Sequence, residues 1–277
     1  LDREQVGSMI SKKIFFTGGG GFIGKEVIPL LRKDGYEVVA PSSFELNFTD
    51  NNSVIKYFNE HGFNYHAIVH AAVIGGRRTK KDGLITYLDN MRIFENIFAY
   101  YKYVDRFINI DSGASLFDSG TIPIDPYGFS KYCAARSVGS IERGINLKLF
   151  GCFGIHEDDH RFITTAIKNY INKEPIIIFQ DKLMDFMYVK DFYKILKYSL
   201  ECSPYLIQAR PHMIDCTYDR KFYLSDIAEM INDLNSYTVP IINESKERGE
   251  PYCGKFSIDL NYIGLDQGIY ELYKSLC

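Results

Sequence analysis

Tryptophan is absent from the 277 residues, and no part of the composition is strongly basic. Thirty-two Lys and Arg against 35 Asp and Glu leave a formal net charge of −3. That balance excludes a broad positive field of the kind that holds nucleic acid. Small anions stay open as ligands, because local backbone geometry binds them without net charge. No run reaches the roughly 18 apolar residues that a bilayer-spanning helix requires, so no membrane partner is expected. An apolar signal-peptide core is also missing. Residues 1–8 are polar and lead into Gly7-Ser8-Met9, which reads as a vector scar before a natural start, and they are set aside from the fold. The six cysteines (Cys133, Cys152, Cys202, Cys216, Cys253, Cys277) form no CxxC pair. Scattered thiols of this kind imply a reduced, cytoplasmic protein. There is no internal repeat and no low-complexity linker.

What is present is globular: 46% hydrophobic and 24% charged residues, with 21 Tyr and 20 Phe to fill a core. Strand and helix patterns alternate. Strands are predicted at 13–17, 36–40, 67–70, 106–110 and 146–150. Helices are predicted at 22–33, 52–60 (capped by Thr49-Asp50), 84–103 and 127–143. This alternation specifies an α/β fold with a doubly wound parallel sheet. After residue 151 the rhythm weakens, with strands at 176–179 and 213–216 and helices at 189–200 and 225–234. Residues 9–154 are expected to form a dinucleotide-binding Rossmann domain. Residues 155–277 are expected to form mainly a smaller C-terminal substrate-binding cap, with 186–217 returning to the first domain.

Thr17-Gly-Gly-Gly-Gly-Phe-Ile-Gly24 joins the first strand to the first helix. Gly18 permits the tight turn, Gly21 lets backbone approach a pyrophosphate, and Gly24 lets the helix pack close to the sheet. The N–H groups of Phe22 and Ile23 open a helix whose positive dipole end faces phosphate. Gly19 to Lys25 also satisfies GxxxxGK, but residue 26 is Glu where an ATPase loop needs Ser or Thr for Mg²⁺. At the end of the second strand, where NAD enzymes place Asp or Glu, the chain has Pro41-Ser42-Ser43. Hydroxyls tolerate a 2′-phosphate that a carboxylate would repel. NADP(H) is therefore the expected cofactor, with NAD as the alternative.

Tyr127 and Lys131 stand four apart, on one face of a predicted helix. A neighbouring ammonium favours tyrosinate, so the phenol could exchange a proton with a carbinol or carbonyl oxygen near neutral pH. Combined with the glycine loop, this pair resembles the extended short-chain dehydrogenase/reductase family of nucleotide-sugar epimerases, dehydratases and reductases. TGGGGFIG matches its TGxxGxxG and Tyr127/Lys131 its YxxxK; His70-Ala71-Ala72 looks like its strand end beside the cofactor. The segments 149–154 and Asp185-Phe-Met-Tyr-Val-Lys-Asp191 are similar to two further family stretches. The resemblance implies Ser112 as the hydroxyl partner of Tyr127, with Ser115 as the alternative if the loop is offset. It implies that Asn47 lies near the adenine amine and that Lys131 binds ribose hydroxyls.

The family's 4,6-dehydratases carry Asp-Glu after the catalytic hydroxyl residue, where this chain has Gly113-Ala114. Its GDP-fucose synthases, similar here over 71–76, epimerise with a Cys at the position of Ala114. The resemblance, which extends to the CDP-paratose synthase type, thus implies NADPH-dependent reduction of a nucleotide-diphospho-4-keto-6-deoxy sugar (hexose or heptose) at C4, within surface-polysaccharide sugar biosynthesis. An NAD-dependent C4 epimerase and a non-catalytic NADP(H) sensor are the alternatives. Arg77, Arg161 and Arg248 are the candidate cations for the substrate diphosphate, with Arg78 beside them. A homodimer is expected through the 84–103 and Tyr127 helices. His156-Glu-Asp-Asp-His160 satisfies HExxH, but Asp-Asp after Gly154 makes a poor helix, and no metal site is expected.

Overall fold

A computed structural model describes residues 12–76, 80–115, 125–202 and 213–277. Its centre is a six-stranded sheet in the order β2-β1-β3-β4-β5-β9. The strands are β1 (Lys13–Thr17), β2 (Glu37–Val39), β3 (Ala67–His70), β4 (Arg106–Ser112), β5 (Gly144–Leu149) and β9 (Met213–Asp215). Every pair is parallel. Parallel sheets need both faces covered, and the side chains divide accordingly. Ile14, Phe16, Val69 and Ile108 enter one apolar cluster with α1 (Phe22–Lys33) and α6 (Val189–Glu201). Phe15, Ile68 and Phe107 enter the other with α2 (Asn51–His61), α3 (Leu84–Phe98) and α4 (Pro126–Gly139). Phe15 anchors that second face, with Phe58 and Tyr65 at ring-centroid distances of 4.9 and 5.2 Å.

The sheet places the site. β1 has β2 on one side and β3 on the other, so chain progression reverses between β1 and β3. Carboxyl ends at such a reversal open a ligand crevice. The remaining strands form two small sheets of their own. β6 (Cys152–Phe153) pairs with β8 (Met187–Tyr188), and β7 (Ile176–Ile178) pairs with β10 (Ile241–Asn243). Around them lie α5 (Phe162–Ile171), α7 (Leu224–Asn232) and α8 (Leu265–Leu276). Two buried carboxylates tie the C-terminal stretch down. Asp191 accepts N–H bonds from Ile263 (2.7 Å) and Gly264 (3.0 Å) and the hydroxyl of Tyr218 (2.8 Å). Asp185 accepts from Lys221 and from the Gly254 N–H (2.7 Å). No helix among the described residues is long and apolar enough to cross a membrane.

Most predicted elements appear within a few residues of their expected ends. The helix predicted over 84–103 stops at Phe98, because Tyr101–Tyr103 tighten into a 3₁₀ turn. The helix predicted to 143 stops at Gly139, and the chain folds back so closely that a Cβ on Gly144 would lie 2.0 Å from the Val138 carbonyl oxygen. Short β6, β8 and β10 and helices α5 and α8 were outside the sequence reading.

Candidate active site

The glycine loop is built for close approach. Gly18 has φ +75°, and a Cβ there would lie 2.7 Å from the Ala72 nitrogen. A Cβ on Gly24 would lie 2.5 Å from the Gly19 carbonyl oxygen, so α1 can seat against the loop only without a side chain. Gly20 faces open space. Helix α1 starts at Phe22 with no side-chain cap and no acid in its first turn. Its opening N–H groups are thus left for an external acceptor.

Thr17 joins this loop to β3. Its hydroxyl accepts from the N–H groups of Ala71 (3.2 Å) and Ala72 (3.1 Å) and lies 3.1 Å from His70 Nδ1. With both lone pairs used, the hydroxyl must donate to Nδ1, which puts the imidazole proton on Nε2. Burial and the Lys131 charge push His70 down to about 3. It is a neutral packed residue.

The turn after β2 holds a feature absent from the sequence reading. Both the N–H and the hydroxyl of Ser42 donate to Glu45, each at 2.8 Å. An acid thus does reach this turn, three residues beyond the expected position. Ser43 is exposed beside it. The Asn47 side-chain oxygen already accepts from the N–H and hydroxyl of Thr49 (3.1 and 2.8 Å).

Helix α4 starts with Asp125 capping the Gly128 N–H and Pro126 at the first position. It sets Tyr127 and Lys131 toward the end of β4. Lys131 is buried and donates to the Ile110 carbonyl at 2.7 Å. Burial lowers it to about 8, and the Asp111 charge works against that shift. Ser112 takes the Ala114 N–H (3.2 Å) on its hydroxyl oxygen and faces Tyr127. Ser115 instead donates to buried Asp111 at 2.8 Å, so Ser112 is the hydroxyl on the Tyr127 side. Asp111 lies 3.7 Å from Lys148, a buried ion pair under the site. Tyr127 is pushed up to about 12 by burial, while the Ser112 hydroxyl and the Arg161 charge pull it down. Lys131 points its ammonium at β4 rather than at the phenol.

A loop closes over the ring. Gly76 has φ +73°, and a Cβ there would lie 2.8 Å from Tyr127 Cζ. Buried Asn90 pins this loop through both the N–H and carbonyl of Ile74 (2.7 and 2.9 Å). Arg161, the residue preceding α5, donates to the Gly76 carbonyl at 3.2 Å. Just before it, Glu157 accepts from Thr164 at 2.7 Å, and burial raises its carboxyl to about 8. Tyr252 reaches the site from the C-terminal side and interacts with Ser112.

A family model described as "NAD dependent epimerase/dehydratase family" matches residues 14–204. The chain belongs to that family. GDP-L-colitose synthase of Yersinia pseudotuberculosis is 30% identical over 104 residues, 36% of this chain and 33% of that protein. The chain thus aligns with about a third of that relative's length. CDP-abequose synthase of Salmonella muenchen is 27% identical over 228 residues, 72% of this chain and 75% of that protein. The fold is similar to a GDP-mannoheptose C4 reductase from Campylobacter jejuni, solved with NADP bound. There the TM-score is 0.76 at 16% identity, covering 97% of this chain and 99% of that one.

The epimerase/dehydratase family implies a nicotinamide dinucleotide, and the loop fits one: a cradle that side chains at Gly18 and Gly24 would fill, beneath uncapped N–H groups. Gly18, Gly21, Phe22, Ile23, Gly24, Ala71 and Ala72 lie together at the β1 and β3 ends. Ser112, Tyr127, Lys131 and Arg161 gather at the β4 end. Arg248 is exposed, stacked 4.0 Å over the Tyr223 ring with Nε 3.9 Å from Asp181. Arg77 and Arg78 lie outside the described residues. Residues 156–160 are not helical, and His156 meets Glu26 through its N–H and ring. Among the described residues no group of three His, Cys, Asp or Glu side chains could hold a metal ion.

Proposed function

We propose that the protein is an NADPH-dependent reductase of a nucleotide-diphospho-4-keto-6-deoxy sugar, acting at C4. The observation that carries this reading is the meeting of Ser112 and Tyr127, with Lys131 buried beside them, where the only side chains at 113 and 114 are a hydrogen and a methyl. The Gly18–Gly24 loop would hold the reduced nicotinamide dinucleotide, which would supply the hydride. Tyr127 Oη carries the proton for the C4 oxygen. Held near 12, the phenol is protonated at neutral pH, which is the state a donor to a ketone needs. The Ser112 hydroxyl donates to the same oxygen and orients it. Lys131, fixed by the Ile110 carbonyl, places its ammonium where a ribose can be held. Arg161, with Arg248 and Arg77, supplies positive charge for the substrate diphosphate. The choice of NADP(H) is supported by Ser42 and Ser43, which stand at the end of β2 where NAD enzymes carry a carboxylate.

A homodimer through α3 and α4 completes the reading. Leu84 and Ile85 are each 68% exposed on α3, and Tyr87 stacks on Phe129 of α4 at 5.2 Å beside them.

The test is reduction of a nucleotide-linked 4-keto sugar, followed by NADPH absorbance. Tyr127→Phe should lower kcat by about 10²–10⁴, the scale of one general acid, with NADPH affinity nearly unchanged. Near-full activity in Tyr127→Phe would remove Tyr127 from the chemistry. Dinucleotide binding without turnover of any such sugar would favour a non-catalytic sensor.

A further inference from the structure

The face of β4 that meets α4 changes character along its length. Side chains alternate along a strand, so Phe107, Asn109 and Asp111 share that face. Their register partners on β5 are Gly144, Asn146 and Lys148. Phe107 packs in one apolar cluster with Ala134 and Val138 of α4. One rung on, Asn109 donates to Asn146 at 2.8 Å, and Asn146 donates to the Ala135 carbonyl of α4 at 2.9 Å. The last rung is the Asp111–Lys148 ion pair at 3.7 Å, with the Asp111 and Lys148 side chains 0% and 4% exposed. It continues onto β9, where Asp215 lies in register with Lys148. Asp215 in turn takes the Lys255 N–H at 2.9 Å, on the strap that carries Tyr252. Across the interface, Ala135, Lys131 and Tyr127 stand one turn apart on α4. Ala135 is bound to the amide rung and Lys131 to the Ile110 carbonyl at 2.7 Å, which leaves Tyr127 over the end of β4.

A buried ion pair gives little net stability, because apolar side chains of similar volume do as well or better. What such a pair can supply instead is a single arrangement of the groups around it. We propose that Asp111 and Lys148 are positioning residues for the reaction: their pair sets the end of β4 against α4, and through it the Lys131 ammonium and the Ser112 hydroxyl. This rests on the reading of Ser112, Tyr127 and Lys131 as the reactive set. Asp111 stands between the two groups it fixes. Ile110 before it holds Lys131 by its carbonyl, and Ser112 follows it. The Asp111 Oδ2 accepts the Ser115 hydroxyl at 2.8 Å, which ties back the Gly113–Ser115 turn behind Ser112. The Asp111 Oδ1 is buried with no hydrogen-bond partner among the described residues, so the carboxylate depends on a counter-charge. Lys148 supplies it from the neighbouring strand. The Asp111 charge also opposes the downward push that burial puts on Lys131.

The test separates position from stability. Asp111→Asn with Lys148→Met removes both charges and nearly keeps the volumes, so the urea midpoint should stay near the parent's. Lys148→Met alone strands a buried carboxylate and should unfold at clearly lower urea than the double variant. In the folded double variant NADPH affinity should fall about tenfold, the scale of one charge-assisted hydrogen bond from a displaced Lys131. In reduction of a 4-keto sugar, kcat should fall about 10- to 100-fold with KM little changed, as for a small misplacement of reacting groups. A pair that served stability alone would move neither quantity in a variant of parental stability. Asp111→Asn alone keeps the shape and an acceptor for Ser115, and it should weaken NADPH by a similar factor. It tests the proposal even where the double variant fails to fold. Parental NADPH affinity in whichever of these two variants folds overturns the proposal. So does a Lys148→Met protein that unfolds no earlier than the double variant. Weakened NADPH binding in variants of a protein that reduces no nucleotide sugar would uphold the positioning role while rejecting the ketoreductase reading.

Discussion

The Glu45 carboxylate accepts both the N–H and the hydroxyl of Ser42, each at 2.8 Å. These two bonds also lower its pKa, so the carboxylate is charged at neutral pH. The turn thereby holds an anion of its own where a 2′-phosphate is proposed to sit. NADPH must displace this carboxylate or bind beside it. Glu45→Gln should tighten NADPH binding, by about threefold to tenfold for removal of one exposed like charge, and leave NADH affinity nearly unchanged. Fluorescence titration of both cofactors reads this directly. If the unaltered protein binds NADH at least tenfold tighter than NADPH, Glu45 is a ribose acceptor instead, and the C4-epimerase reading gains.

Glu157 predicts a pH dependence of stability. Its folded pKa of about 8 lies above the ordinary glutamate value, so the folded protein keeps a proton that the unfolded chain gives up. For such an acid, stability falls as pH rises from the unfolded pKa near 4.5 to about 8, then levels. Glu157→Gln removes that fall while keeping a partner for Thr164. Relative to the parent, the variant should gain on the order of 1–3 kcal/mol between pH 5 and 8. Urea unfolding at several pH values measures it, and a constant difference across that range would contradict a half-buried, protonated Glu157.

The α3–α4 surface should assemble the molecule. Leu84→Asp with Ile85→Asp places two charges on a face whose apolar groups are otherwise in water. Light scattering at micromolar protein should show a dimer for the parent and a monomer for the variant. A parent that is monomeric at that concentration removes the proposed interface.

Much of this site is written in short local patterns. The glycine loop, the Tyr127-Lys131 spacing and the buried strands each depend on residues close in sequence, where period and turn chemistry speak directly. Ser112 came instead from the family resemblance, laid without gaps on the strand that ends there. The parts that could not be read are made by distant segments. Glu45 bends back on Ser42 through a turn whose shape no period encodes. Tyr252 reaches Ser112 only because Asp185 and Leu183 anchor its strap. Helix α5 was missed because its flanking loop is charged and its start, at Arg161, carries no side-chain cap. The bond from the Lys131 ammonium to the Ile110 carbonyl crosses to the end of β4, a contact that no local spacing encodes.

Reaction type is the last prediction. Epimerisation beside a ketone needs a base to take a carbon-bound proton and an acid to return one to the other face. At 113 and 114 the chain offers Gly and Ala, and the space above Gly113 is filled by the Tyr252 phenol, which burial holds protonated. A protonated phenol cannot act as that base. His156 is engaged with Glu26 on α1 through its backbone N–H and its ring, and His160 is exposed on the same loop. Reduction needs none of these groups, only Tyr127 with Ser112 and Lys131 and the hydride. Incubation of a nucleotide-4-keto sugar and NADPH in D₂O, read by NMR, should therefore show cofactor hydrogen at C4 and no solvent deuterium at C3 or C5 beyond the rate without protein. Protein-dependent deuterium at either carbon, persisting in Tyr252→Phe, would assign acid–base chemistry to the 156–160 loop and make the enzyme an epimerising reductase. Its disappearance in Tyr252→Phe would assign that chemistry to the second phenol.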